Sequence, residues 1–204
     1  MKIYTYHEYI PEMPNGDSLL ELWKSSWEKA GWEPVVLGRE DAQKHSKYEE
    51  YFERYKNLPT SNCVNYEVSC YLRWLALSVV GGGWMSDSDV IPYNFKPVEP
   101  PSDSLTVWSY GGICPCLVSG KPEHYDYAAK IFAEWEGPYH VERGVNHISD
   151  QNILGQIDRF FHHIPICANY GDIGWEYFSV VHYPNSRMQD KSPRKQYIPQ
   201  LRSL

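Results

Sequence analysis

Asp87 and Asp89 flank a single serine at the end of a short apolar run, and no other residues of this chain point so directly to chemistry. Positions two apart in extended chain share a face, so the reading places two hard oxygen donors side by side. Such a pair suits Mn²⁺ or Mg²⁺, which take carboxylates together with substrate phosphate oxygens and water. Asp-Ser-Asp is also ordinary turn composition. Here the neighbours are apolar, Leu75 to Val80 before and Val90-Ile91 after, and uncompensated carboxylates at the end of a buried element would be costly. A cation is one way to hold them.

The elements that must carry this pair can be read outward from it. An apolar helix over Asn65 to Val80 bears one cation, Arg73, and runs through Gly81-Gly82-Gly83 into a strand over Trp84 to Ser86. Upstream, Lys2 to Tyr6 and Glu33 to Leu37 read as strands around a helix in which Leu19, Leu20, Trp23 and Trp27 fall at helical spacing, with Asp17 as its cap and Gly31 as its stop. Residues 39 to 57 read as one or two peripheral helices. Downstream, Leu105 to Ser109, Cys116 to Ser119, Ile164 to Cys167 and Phe178 to His182 read as strands, and Tyr125 to Trp135 and Asp150 to Phe160 as helices, with Gly144 to Ser149 a loop. Alternating strands and helices predict an α/β domain with a mostly parallel central sheet flanked by helices. Ligands of such sheets bind at the carboxyl ends of the strands.

Composition narrows the partners. At 204 residues, with 42% hydrophobic and 15% aromatic content, the chain can bury a full core, and some of its rings are expected to line a pocket. The net charge of −7 argues against nucleic acid as a partner. A basic cluster at Lys191, Arg194, Lys195 and Arg202 reads as a solvated tail, with peripheral membrane association as its other reading. No stretch reaches the length of a membrane span. The five cysteines are odd in number, and Cys114-Pro115-Cys116 is too tight for a paired zinc spacing, so reduced thiols in a cytoplasmic setting are expected.

The run Cys70-Tyr71-Leu72-Arg73, followed by Gly81-Gly82-Gly83-Trp84 and Asp87-Ser88-Asp89-Val90, resembles the Asp-x-Asp sugar-binding segment of certain nucleotide-sugar glycosyltransferases. These include fungal initiating mannosyltransferases, bacterial capsular-polysaccharide transferases and clostridial toxin glucosyltransferases. The close likeness covers residues 66 to 91, and weaker likenesses extend over roughly residues 2 to 187. The resemblance implies a single GT-A-type domain over 1–187, a polar tail over 188–204, and metal-dependent transfer of a sugar from a nucleotide-diphosphate donor, UDP before GDP, to a glycan or other hydroxyl acceptor.

By the same resemblance Asp89 binds the cation, Asp87 contacts ribose, sugar or metal-bound water, and Arg73 reaches the donor sugar or diphosphate. A buried Arg73 paired with an aspartate is the alternative and is compatible with that role. Cys70 stands where the family often has an acidic residue, which leaves the donor sugar open. His182 is implied as a ligand or diphosphate contact, Asn185 and Ser186 as diphosphate contacts, and Tyr6 and His7 as residues orienting the base. Asp150 would face acceptor or donor, although Ser-Asp before an apolar helix is also a good cap. Related enzymes mainly retain anomeric configuration, while Asp150 could serve retention or inversion. Two other classes use similar residues: a metal-dependent phosphohydrolase or nucleotidyltransferase, and a non-catalytic carbohydrate-binding module. Oligomeric state is not legible.

Overall fold

A computed structural model describes residues 1–12, 19–101, 103–157 and 161–184. The first half of the chain forms β1 (Lys2–Tyr6), α1 (Leu20–Lys29), β2 (Glu33–Leu37), α2 (Arg39–Ala42), α3 (Tyr48–Lys56), α4 (Val64–Val79), β3 (Gly83–Ser86) and β4 (Val90–Pro92). The second half forms β5 (Leu105–Ser109), β6 (Leu117–Gly120), α5 (Pro122–Ala133), β7 (His140–Glu142), β8 (Val145–His147), α6 (Asp150–Gln156), β9 (Phe161–Asn169) and β10 (Val180–His182).

Eight strands make one mixed sheet in the order β2-β1-β3-β6-β5-β9-β10-β4. β1 lies parallel to both β2 and β3, and β9 parallel to both β5 and β10. Only β6 and β4 run against the rest. This is the α/β domain with a mostly parallel, helix-flanked sheet that alternation of strands and helices predicts, and it is consistent with a GT-A-like fold.

Neighbouring residues of each central strand face opposite layers, as the two-residue period of a strand requires. Tyr4 and Met85 enter the core formed with α3, α4, α5 and α6, whereas Ile3 and Trp84 enter a second core under α1. The apolar stripe of α4 is buried almost throughout, from Tyr71 to Leu77. Its exit into β3 depends on glycine. Gly81, Gly82 and Gly83 have φ of 97°, 72° and 110°, a region that residues with a Cβ rarely enter. A Cβ on Gly82 would also stand 2.6 Å from the carbonyl oxygen of Gly120.

Several expectations change. The helices over 39 to 57 are not peripheral: Tyr48, Tyr51 and Tyr55 are buried, and Tyr55 stacks on Tyr71 at 4.8 Å and donates to the carbonyl of Ala129 at 2.8 Å. Their polarity reflects the outer face only. The expected loop from Gly144 contains β8, paired with β7 as a hairpin. Arg143 and Gly144, at φ of 52° and 79°, supply the two positive-φ residues of its turn. Val90-Ile91-Pro92, for which no strand is expected, forms the edge strand β4, a position that tolerates proline. Asp17, the tail cations and the 187/188 boundary lie outside the described residues.

Candidate functional site

Asp87, Ser88 and Asp89 leave β3 in a turn, closed by the Val90 N–H donating to the Asp87 carbonyl at 3.1 Å. They are not in extended chain as the spacing suggests, because the backbone must leave β3 and cross the sheet to pair as β4 with β10. The carboxylates converge nonetheless. One oxygen each of Asp87 and Asp89 and one ring nitrogen of His182 lie within 4.8 Å of one another. His182 ends β10 beside Val90, and the Tyr183 N–H donates to the Asp89 carbonyl at 2.9 Å.

Two tryptophans of α1 clamp this turn from below. Trp23 Nε1 donates to Ser86 Oγ at 2.8 Å, and Trp27 Nε1 donates to the Val90 carbonyl at 3.1 Å, one on each side of Asp-Ser-Asp. Most of these rings are core, while Tyr127 and Phe161 line a cavity elsewhere in the fold. Trp27, Trp32, Trp84, Phe95 and Trp108 pack with ring centroids 4.7 to 6.5 Å apart, and the indole N–H groups of the four tryptophans find protein acceptors.

Arg73 is buried beneath the cluster and forks between two carboxylates. One guanidinium nitrogen donates to Asp87 Oδ1 and the other to Asp150 Oδ2 at 2.6 Å. Burial alone would favour the neutral guanidine, but Asp150 and Asp87 override it and hold the charge firmly. Burial lifts the Asp87 carboxyl above its ordinary value, against the pull of Arg73 and with the added repulsion of Asp89.

Asp150 is the first residue of α6, which Ser149 caps by accepting from the Asn152 N–H. The capping alternative is thus met by Ser149, and Asp150 keeps both oxygens for other partners. Oδ2 accepts from Arg73 and from Trp74 Nε1 at 3.0 Å, and Oδ1 accepts from the Gln151 N–H at 2.7 Å.

His182 is oriented from behind, with Nδ1 2.9 Å from Asn169 Oδ1 and Nε2 3.4 Å from Asp89 Oδ1. Burial opposes a charged imidazole, but Cys116 and Asp89 outweigh it and raise His182 well above its ordinary value. Tyr6 ends β1 and His7 follows it, on the same carboxyl edge as Asp87, and the Tyr6 hydroxyl donates to Glu8, which also receives Arg39. Asn185 and Ser186 lie outside the described residues.

Four residues around the site are not evident from the sequence. Asn169 orients His182 across the β9/β10 pair, a contact only topology creates. Cys114 and Cys116 also gather at His182, despite a spacing that hides them. Glu67, inside the first turn of α4, is buried and accepts from Asn62 and Thr60, and burial raises it to about 7. Its position in an apolar helix was the available signal.

Glu67 carries a pH prediction. A carboxyl raised on folding imposes no penalty below about pH 4.5, where both states are neutral, and its full penalty above about pH 7. Stability is expected to fall by on the order of 3 kcal/mol across that window from this group. Urea unfolding of Glu67→Gln should show that slope removed; an unchanged slope would place the titration elsewhere.

A family profile described as a domain of unknown function (DUF8765) matches residues 1–100. No curated protein matches the chain. Among solved structures, the chain is similar to a glycosyltransferase involved in the glycosylation of the major capsid of PBCV-1. That similarity covers 97% of this chain and 98% of the other, with a TM-score of 0.50 and 11% identity. At such identity the likeness is one of fold. The chain therefore shares its fold with a glycosyltransferase and holds, at the carboxyl edge of its sheet, an Asp/Asp/His cluster able to coordinate a metal ion.

Proposed function

We propose that this protein is a metal-dependent glycosyltransferase that moves a sugar from a nucleotide-diphosphate donor, UDP-linked before GDP-linked, to a hydroxyl of a glycan or other acceptor. The observation that carries this reading is the convergence of Asp87, Asp89 and His182 within 4.8 Å, over a buried arginine, in a fold shared with a glycosyltransferase. Two carboxylates and an imidazole fit Mn²⁺, which accepts oxygen and nitrogen donors. Bound there, such an ion would supply Lewis-acid neutralisation of a departing diphosphate.

The chain's own residues do the rest. Asp150 and Trp74 anchor Arg73, and Arg73 in turn fixes Asp87 at the mouth of the site. Asn169 holds His182 so that Nε2 faces Asp89. Tyr6 and His7, at the end of β1, would orient the base, and Asn185 and Ser186, which follow His182 in sequence, would meet the diphosphate. Inversion needs a base opposite the leaving group. With both oxygens of Asp150 committed, its role becomes positioning of Arg73, and retention is the outcome this arrangement favours.

A thermal-shift experiment tests the reading without knowledge of the donor sugar. Saturation to about 100 times the dissociation constant adds roughly 2.7 kcal/mol, and at this chain length each kcal/mol is worth about 2–4 °C. UDP with Mn²⁺ is expected to raise the melting temperature by about 5–10 °C. Both components should be required, since the carboxylates repel a bare diphosphate, and excess chelator should abolish the shift. No shift with UDP or GDP at saturating Mn²⁺ would overturn the proposal.

A further inference from the structure

His182 has a second set of neighbours. Cys114 Sγ, Cys116 Sγ and a ring nitrogen of His182 also lie within 4.8 Å of one another. We propose that Cys114, Cys116 and His182 form a separate thiophilic centre that takes Zn²⁺, and that this centre and the Asp87/Asp89 site compete for the one imidazole.

The geometry is close to what zinc requires. Zn–S bonds of about 2.3 Å and Zn–N bonds of about 2.0–2.1 Å at tetrahedral angles place donor atoms roughly 3.3–3.8 Å apart. Side-chain rotation over about 1 Å closes that gap. The backbone beneath the cysteines is already fixed. The Cys114 N–H donates to Ser109 Oγ at 3.1 Å, Pro115 locks its own φ, and the Cys116 carbonyl accepts from the Asp87 N–H at 2.8 Å.

Ligand chemistry separates the two sites. Thiolates select zinc over manganese, whereas carboxylates suit manganese. Cys116 and His182 are buried while Cys114 is partly exposed, so a third protein ligand stands at an opening where water can complete the coordination. Zinc entry requires both sulfurs as thiolates and the imidazole neutral, so it releases to solvent one proton from every ligand that enters protonated, with no change of oxidation state. Because Nε2 of His182 is 3.4 Å from Asp89 Oδ1, turning the ring's lone pair to zinc removes it from the carboxylate pair. Zinc is thus an antagonist of the hard-ion site, acting through a shared ligand.

The test uses the full chain, reduced, with Co²⁺ as the spectroscopic stand-in for Zn²⁺. Intense sulfur-to-cobalt charge-transfer absorption is expected, saturating at one equivalent and abolished by Zn²⁺ but not by Mn²⁺. Zn²⁺ should also protect Cys114 from alkylation and displace Mn²⁺ followed by its paramagnetic resonance signal. Asp89→Asn should keep the charge-transfer band, and Cys114→Ser should lose it while still binding Mn²⁺. That pair of variants separates failure of this centre from failure of the transferase reading. Absence of the band in the wild-type chain would overturn the proposal. So would discovery by mass spectrometry that Cys116 is bonded to Cys167, whose sulfur lies 3.8 Å away, in the protein as purified and before reduction.

Discussion

Asp89→Asn is expected to abolish metal-dependent donor turnover while leaving the fold intact. The substitution keeps the side-chain volume and removes one charge, so the packing of the turn against Trp23 and Trp27 has no reason to change. What it removes is a hard anionic donor from a three-residue set in which only Asp87 and His182 remain. Loss of even an outer partner of a metal ligand commonly costs 10–100-fold, so loss of a ligand itself should exceed about 100-fold. Donor hydrolysis measured with added Mn²⁺, alongside circular dichroism and a melting curve, decides it. A variant that folds and turns over within about threefold of the parent would show that the reaction does not use this cluster.

The pattern of strands and helices was legible because its signals are local. Apolar runs bounded by glycine and proline locate β1, β2, α4, β3 and β5 to within a residue or so. What escaped is the pairing and burial that depend on partners. Val90-Ile91-Pro92 becomes a strand only because β10 lies beside it, and α3 buries its tyrosines only because α4 and α5 surround them.

The candidate site divides the same way. Asp87, Asp89 and Arg73 stand within one supersecondary unit, so their spacing carried the information. Asp150 was visible as a residue, but its place beneath Arg73 was not, since 77 positions separate the pair. Spacing alone hides the two cysteines, and a histidine 66 positions beyond Cys116 makes them a cluster. Which rings are core and which line a pocket is not legible, because ring count does not reveal direction. Each indole of α1 points under the sheet to staple the turn that bears the carboxylates.

The arginine beneath those carboxylates is expected to matter most for stability. Arg73 is the cation between Asp87 and Asp150, and Trp74 Nε1 is the only other side-chain donor on Asp150 among the hydrogen bonds of the described residues. Replacing it with methionine fills much of the space but leaves the buried Asp150 and the partly buried Asp87 without their counter-charge. Breaking a buried pair from one side typically costs about 3–5 kcal/mol, because the penalty belongs to the charge left behind. At roughly 2–4 °C per kcal/mol, the melting temperature of Arg73→Met should fall by about 6–20 °C. Arg73→Lys should fall less, since a lysine restores charge but cannot fork between two acceptors. The double variant Arg73→Met/Asp150→Leu should recover part of the loss, since the stranded Asp150 charge leaves with its partner. Calorimetric melting of these three variants separates the explanations. A single Arg73→Met variant that melts within about 2 °C of the parent, or a double variant no better than the single, would show that the ion pair is not what holds the floor of the site.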